Sequence, residues 1–154
     1  MLSLEKRHFI KGLDPVADAF AGTVASDVVN MKNWKTATFI IYAGVGLTGT
    51  SVITVEACSN VTPDATSAVP FTYREITSGD TPGTLTKATA SGFTMTAGSS
   101  RIVVVQVESE VLAASGYNYL RLKAVESVDS PVLGAILIEL SEPRFTPTTD
   151  SAIV

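Results

Sequence analysis

Arg101-Ile102-Val103-Val104-Val105-Gln106-Val107-Glu108 is the stretch on which the fold class turns. Ile102, Val103, Val104, Val105 and Val107 are β-branched, which costs rotamer freedom in a helix, and the run is too short to be a buried helix. It reads as a strand. Because residues of both parities are apolar, the strand is expected to be covered on both faces at the centre of the core.

The flanking segments repeat this signal. Lys35–Ala43 alternates Ala37, Phe39 and Ile41 with Thr36, Thr38, Ile40 and Tyr42, and both of its faces are fairly apolar, which predicts a central strand. Tyr119–Glu126 has Leu120, Leu122 and Ala124 on one face, with Tyr119, Arg121, Lys123 and Val125 on the other. In Val132–Ser141 the inward set is Ile136, Ile138 and Leu140, and in Ser51–Cys58 it is Ile53, Val55 and Ala57. Thr23–Asn30, Val69–Ile76, Thr84–Ala88 and Phe93–Thr96 complete the expected strands, and Ser109–Ser115 is expected to form a helical turn stopped by Gly116. Turn residues separate these runs, Ser78-Gly79-Asp80-Thr81-Pro82-Gly83 most clearly. The whole predicts an all-β chain, an antiparallel β-sandwich or jelly-roll over residues 22–142.

The ends read differently. In residues 1–21, Leu4, Phe9, Ile10 and Leu13 are spread among charges and Asp14-Pro15 interrupts any helix, so an N-terminal arm is expected. Residues 143–154, rich in Thr and Pro, are expected to be a flexible tail.

Composition narrows the function. Of 154 residues, 45% are hydrophobic and 17% are charged, below the usual quarter, so the exterior must be covered largely by Thr, Ser and Gly. A net charge of -4 with scattered Lys and Arg offers no footprint for a phosphate backbone, so no nucleic-acid partner is expected. Apolar runs such as Phe39–Val45 fall far short of the roughly 20 residues that cross a bilayer, and Met1–His8 places charges where a signal peptide needs apolar residues. The expectation is no membrane and synthesis in the cytoplasm. Cys58 is the single cysteine, so no intrachain disulfide forms.

Motifs that carry chemistry are weak. Gly44-Val45-Gly46-Leu47-Thr48-Gly49 spells the dinucleotide fingerprint, but the fingerprint needs a helix after the third glycine, and Thr50–Val55 is strand sequence. A Gly-rich hairpin loop is expected. His8 is the only histidine, and one His with one Cys cannot form a zinc set. Cys58 ends a strand with nothing nearby in sequence to activate it. Asp64, Glu75 and Asp80 lack calcium-loop spacing, and the pairs Glu108/Glu110 and Glu139/Glu142 read as surface. Asn60-Val61-Thr62 matches a glycosylation acceptor and reads as loop. No catalytic, cofactor or metal residue is assigned, and no enzyme is expected. Tyr42, Tyr73, Tyr117 and Tyr119 make a carbohydrate platform only if several share one exposed face.

Asp27–Trp34, leading into Thr38–Gly44 and then Ser51–Ala57, resembles a group of small β-rich structural proteins of tailed bacteriophages. There, a polar Val-Lys-Asn-aromatic lead precedes a β-branched strand, a Gly-rich turn and a further strand. The resemblance covers mainly residues 22–58. It implies a capsid decoration, or cement, protein: a virion structural protein on the capsid surface that holds major capsid subunits together, commonly as a trimer. A tail, baseplate or fibre component is the alternative within structural proteins, and a carbohydrate-binding β-sandwich module the alternative outside them. The side chains proposed for an interface are Phe9, Ile10 and Leu13 of the arm, with Tyr119 and with Trp34, for which packing in the core is the favoured reading and an interface anchor the other.

Overall fold

The alternating segments become strands that pair by register. In a computed structural model describing residues 3–145, the strands are β1 (Arg7–Val16), β2 (Thr23–Ala25), β3 (Val29–Asn30), β4 (Trp34–Ala43), β5 (Thr50–Cys58), β6 (Thr66–Val69), β7 (Phe71–Ile76), β8 (Thr86–Ala88), β9 (Phe93–Thr94), β10 (Arg101–Glu108), β11 (Tyr119–Val128) and β12 (Gly134–Pro143). Short 3-10 turns occupy Ser3–Lys6 and Ser109–Ala114.

The first sheet runs β1-β12-β4-β10-β7-β8 and the second runs β2-β11-β5-β6, all antiparallel. In the second sheet β3 shares the β11 edge with β2, and β9 shares the β5 edge with β6. This is a β-sandwich with open edges. Its core lies between the sheets: Ile136, Ile138, Leu140, Phe39, Ile41, Val103 and Val105 from the first meet Ile53, Val55, Leu120 and Leu122 from the second, all fully buried. Burying each such side chain contributes about 1.5–3 kcal/mol against chain entropy. The inward sets expected for β4, β5, β11 and β12 are those observed.

Four expectations are corrected. The N-terminal segment is not an arm: β1 pairs with β12 from Arg7↔Ser141 to Val16↔Gly134, and Ile10, Ala19 and Phe20 are core. Pro15 is tolerated because β1 is an edge strand, and register shifts between Lys11 and Val16 absorb the irregularity. Strand β10 is central but not covered twice. Arg101, Val103, Val105 and Val107 are buried, whereas Ile102 and Val104 are only partly covered. The segment Thr23–Asn30 is broken into β2 and β3, since the Leu122 N–H donates to Ser26 Oγ (3.0 Å) in place of a backbone partner. Finally, Gly44–Gly49 is not a hairpin, because β4 and β5 belong to different sheets and the loop crosses between them.

Of the expected tail, Pro143 closes β12 and Arg144 is anchored, its N–H donating to the Asn33 carbonyl (2.9 Å) and its guanidinium to Ser109 Oγ (2.6 Å). Residues 146–154 lie outside the described residues. Deleting residues 1–20 is expected to abolish cooperative thermal unfolding monitored by circular dichroism, since it removes an edge strand and the Phe20 packing; a dispensable arm would leave the transition in place.

Candidate interaction face

Directly opposed residues of antiparallel strands point to the same side of the sheet, so the register of the first sheet gives its outer face row by row. One row reads Lys11, Leu137, Ile40, Val104, Arg74 across β1, β12, β4, β10 and β7. The next reads Ala135, Tyr42, Ile102, Ile76. Between the flanking Lys11 and Arg74 these rows form a continuous apolar strip, and among the described residues no side chain packs over it as a layer. Tyr42 is 60% and Leu137 51% exposed, while Ile40, Val104, Ile102 and Ile76 are partly covered by one another. The adjoining row, Phe9, Glu139, Thr38, Gln106, Thr72 and Lys87, is largely polar. Contiguous exposed apolar surface of this kind marks contact with another molecule.

The outer face of the second sheet is more mixed. Its rows are Tyr119–Cys58–Thr66, Arg121–Glu56–Ala68, Ala25–Lys123–Thr54 and Thr23–Val125–Val52–Thr94, the last with Val125 37% exposed. Glu56 bridges Arg121 (2.7 Å) and Lys123 (3.1 Å). Burial pushes the Glu56 carboxyl up, but hydrogen bonds and charge from Arg121 and Lys123 outweigh it and hold it below the ordinary glutamate value of 4.5. Cys58 beside it is fully buried, and burial pushes its thiol up to about 11, which keeps it protonated and unreactive at neutral pH.

The glycine loop has a packing reason. A Cβ on Gly49 would lie 2.3 Å from the Ser130 carbonyl oxygen, and one on Gly46 would lie 3.0 Å from Val132. Gly44 N–H donates to the Leu133 carbonyl (2.7 Å), and Leu133 N–H to the Val45 carbonyl (2.9 Å). The glycines admit the 130–133 segment, and strand β5, not a helix, follows.

Several other chemistry-bearing side chains have partners within the fold. The buried Arg101 donates to the carbonyls of Thr96, Ala97 and Gly98 and lies 3.5 Å from Glu75, fastening the loop before β10. Glu139 pairs with Arg7 (2.7 Å), Glu142 with Lys35 (3.5 Å), and Asp64 accepts from Asn60 (3.3 Å). Asn60 Oδ1 also accepts from Thr62 N–H (2.8 Å), closing the loop on itself. Among the described residues no three His, Cys, Asp or Glu side chains come together as a metal set. A cleft of about 440 Å³ is an open groove lined by Met31, Lys32, Ser109, Glu110, Tyr117 and Arg144 among others.

The proposed interface residues separate. Ile10 and Trp34 are core, with Trp34 only 3% exposed and His8 tilted against it at 6.1 Å between ring centroids, which withdraws both from any docking surface of the folded chain. Leu13 is partly buried against the core, Tyr119 is half-buried on the outer face of the second sheet, and Phe9 is 55% exposed on the edge strand. The tyrosines do not share a face: Tyr42 lies on the outer side of the first sheet, Tyr119 on that of the second, Tyr73 stacks on Phe93 at 3.6 Å, and Tyr117 packs on the core. Sequence reasoning missed Leu137, Ile40 and Val104 as surface residues. Their signal was present in the two-sided apolarity of β4 and β10, which reads equally as a doubly covered strand.

No family model matches the chain, and no curated protein matches it. Among solved structures, the crystal structure of the SPBc2 prophage-derived protein YomS is similar over 88% of this chain and 93% of that one, with 12% identity and a TM-score of 0.52, which shows a shared fold. The infectious bursal disease virus Gx strain and the VP2 subviral particle of that virus match at TM-scores of 0.25 and 0.26. Their identities are 14% and 10%, over 90% and 95% of this chain and 42% and 44% of theirs, a likeness too low to carry an argument.

Two substitutions check the geometry. Gly49→Ala is expected to lower stability by about 2 kcal/mol or more in denaturant unfolding, because backbone must move to admit the methyl group. Glu56→Gln is expected to cost about 1–3 kcal/mol at pH 7. Since the folded carboxyl titrates below its unfolded value, the Glu56 contribution is complete above the ordinary glutamate range and fades as pH falls through it. The gap between wild type and Glu56→Gln should therefore narrow in melts on the acid side.

Proposed function

We propose that this chain is a virion structural protein that binds the outside of a phage capsid and stabilises contacts between major capsid subunits. The observation that carries the reading is the uncovered apolar strip on the outer face of the first sheet. A monomer in water has no use for such a surface, whereas a lattice partner buries it at a favourable ~25 cal/mol per Å². The polar, ion-paired outer face of the second sheet suits the side turned to solvent.

Three further observations support the reading. The fold is shared with a prophage-derived protein. The chain passes repeatedly from one sheet to the other, as from β4 to β5 and from β10 through β11 to β12, connections compatible with the jelly-roll architecture of viral capsid domains as with other Greek-key sandwiches. The resemblance of residues 22–58 to small phage structural proteins points the same way. The expected assembly is a homo-oligomer, a trimer by that resemblance, with the exposed Phe9 edge available for contacts between copies. The chemistry is burial of area, without a catalytic step.

The same face would serve a tail, baseplate or fibre component, and the choice between these and the capsid is experimental. A carbohydrate-binding module is disfavoured because the tyrosines are dispersed over different surfaces. Purified protein mixed with phage heads lacking it should co-sediment to saturation and raise the temperature at which the heads open. Protein left in the supernatant, or found only on tails, would contradict the capsid assignment.

A further inference from the structure

The capsid-binding reading sets the apolar strip of the first sheet against a partner and leaves open what that partner presents. We infer that the outer face of the first sheet docks on a partner surface that is apolar at its centre and flanked by carboxylates, and that this partner is not a second copy of the chain.

The inference comes from the charges bounding the apolar strip. The row that contains Leu137, Ile40 and Val104 ends in Lys11 on β1 and Arg74 on β7. Arg74 has no ion-pair partner among the described residues. Lys11 meets only Asp14, at 3.5 Å with both side chains largely in solvent, a pair worth little. Besides Asp14, the carboxylate in the adjoining row among the described residues is Glu139, which is already neutralised by Arg7. In a chain of net charge -4 the strip thus ends in a cation on either side, Arg74 without an ion pair among the described residues and Lys11 in a weak, solvent-exposed one. At about 4.8 Å between strands, the two ends of the row lie roughly 19 Å apart, beyond the screening length of physiological salt, so each acts on its own carboxylate.

Self-association on this strip is disfavoured by the same charges. A two-fold axis lying along the row sets Lys11 against Lys11 and Arg74 against Arg74, and an axis across the row sets Lys11 against Arg74. Like charges meet either way, at the rim of a desolvated contact where repulsion is strongest. A partner with the opposite flanks gains at the same places.

The inference rests on the capsid-binding reading, and the experiment separates the two. Heads lacking the protein are titrated with wild type, Arg74→Glu, Arg74→Gln, Leu137→Asp and, as a control on the second sheet, Thr54→Asp, each first shown to keep its circular dichroism and thermal midpoint. Arg74→Glu and Leu137→Asp are expected to weaken binding by about tenfold or more, Arg74→Gln by less, and Thr54→Asp by less than about twofold, with wild-type binding falling as salt rises. No binding by wild type overturns the capsid reading itself. Wild-type binding with all first-sheet variants unchanged overturns the docking face. If Leu137→Asp instead dissociates a homo-oligomer in sedimentation velocity, a second copy covers the strip and the assigned partner is wrong.

Discussion

Side-chain packing between two sheets holds this molecule together. Cys58 is the single cysteine, so no intrachain disulfide assists, and the structure depends on the inner faces of β4, β10 and β12 closing over those of β5 and β11. A strand presents alternate residues to opposite sides, so a core of this kind consumes only one face of each sheet. Everything else about the surface follows from what the sequence places on the other face. In the first sheet that remainder is Leu137, Ile40, Val104, Tyr42, Ile102 and Ile76; in the second it is Glu56 between Arg121 and Lys123.

That asymmetry separates stability from function. The second sheet spends the middle of its outer face on an ion-paired cluster, with Val125 and Val52 beyond it. The first sheet gains only part of the available burial from Leu137 and Tyr42, which remain about half or more exposed. These contiguous apolar side chains are the ones that the proposed assembly would bury.

Much of the fold is legible in the sequence because alternation is local. The inner sets of β11 and β12 can be read directly from Leu120, Leu122 and Ala124, and from Ile136, Ile138 and Leu140. Strand β1 is not legible in this way, because an edge strand carries charges and proline that guard against unwanted pairing, and Arg7, Lys11, Asp14 and Pro15 hide the strand behind arm-like composition. The Glu56 cluster is invisible for a different reason: Arg121 is 65 positions away, and only the β5–β11 register brings them together. The glycines of the β4–β5 loop likewise answer to Ser130 and Val132, which no local pattern reveals. The interaction face lies between these cases. Two-sided apolarity in β4 and β10 is plain in the sequence, but whether the second side is covered by the same chain or by another is decided by the number of layers, which only the structure supplies.

The account turns on which outer face is buried in the assembled particle, and thiol footprinting reads that directly, because Cys58 is buried and contributes no background. Leu137→Cys and Thr54→Cys proteins, incorporated into heads, are treated with a maleimide before and after assembly. The account predicts that the thiol at position 137 becomes protected on assembly while that at position 54 stays reactive. Protection at position 54 with position 137 still open would contradict it.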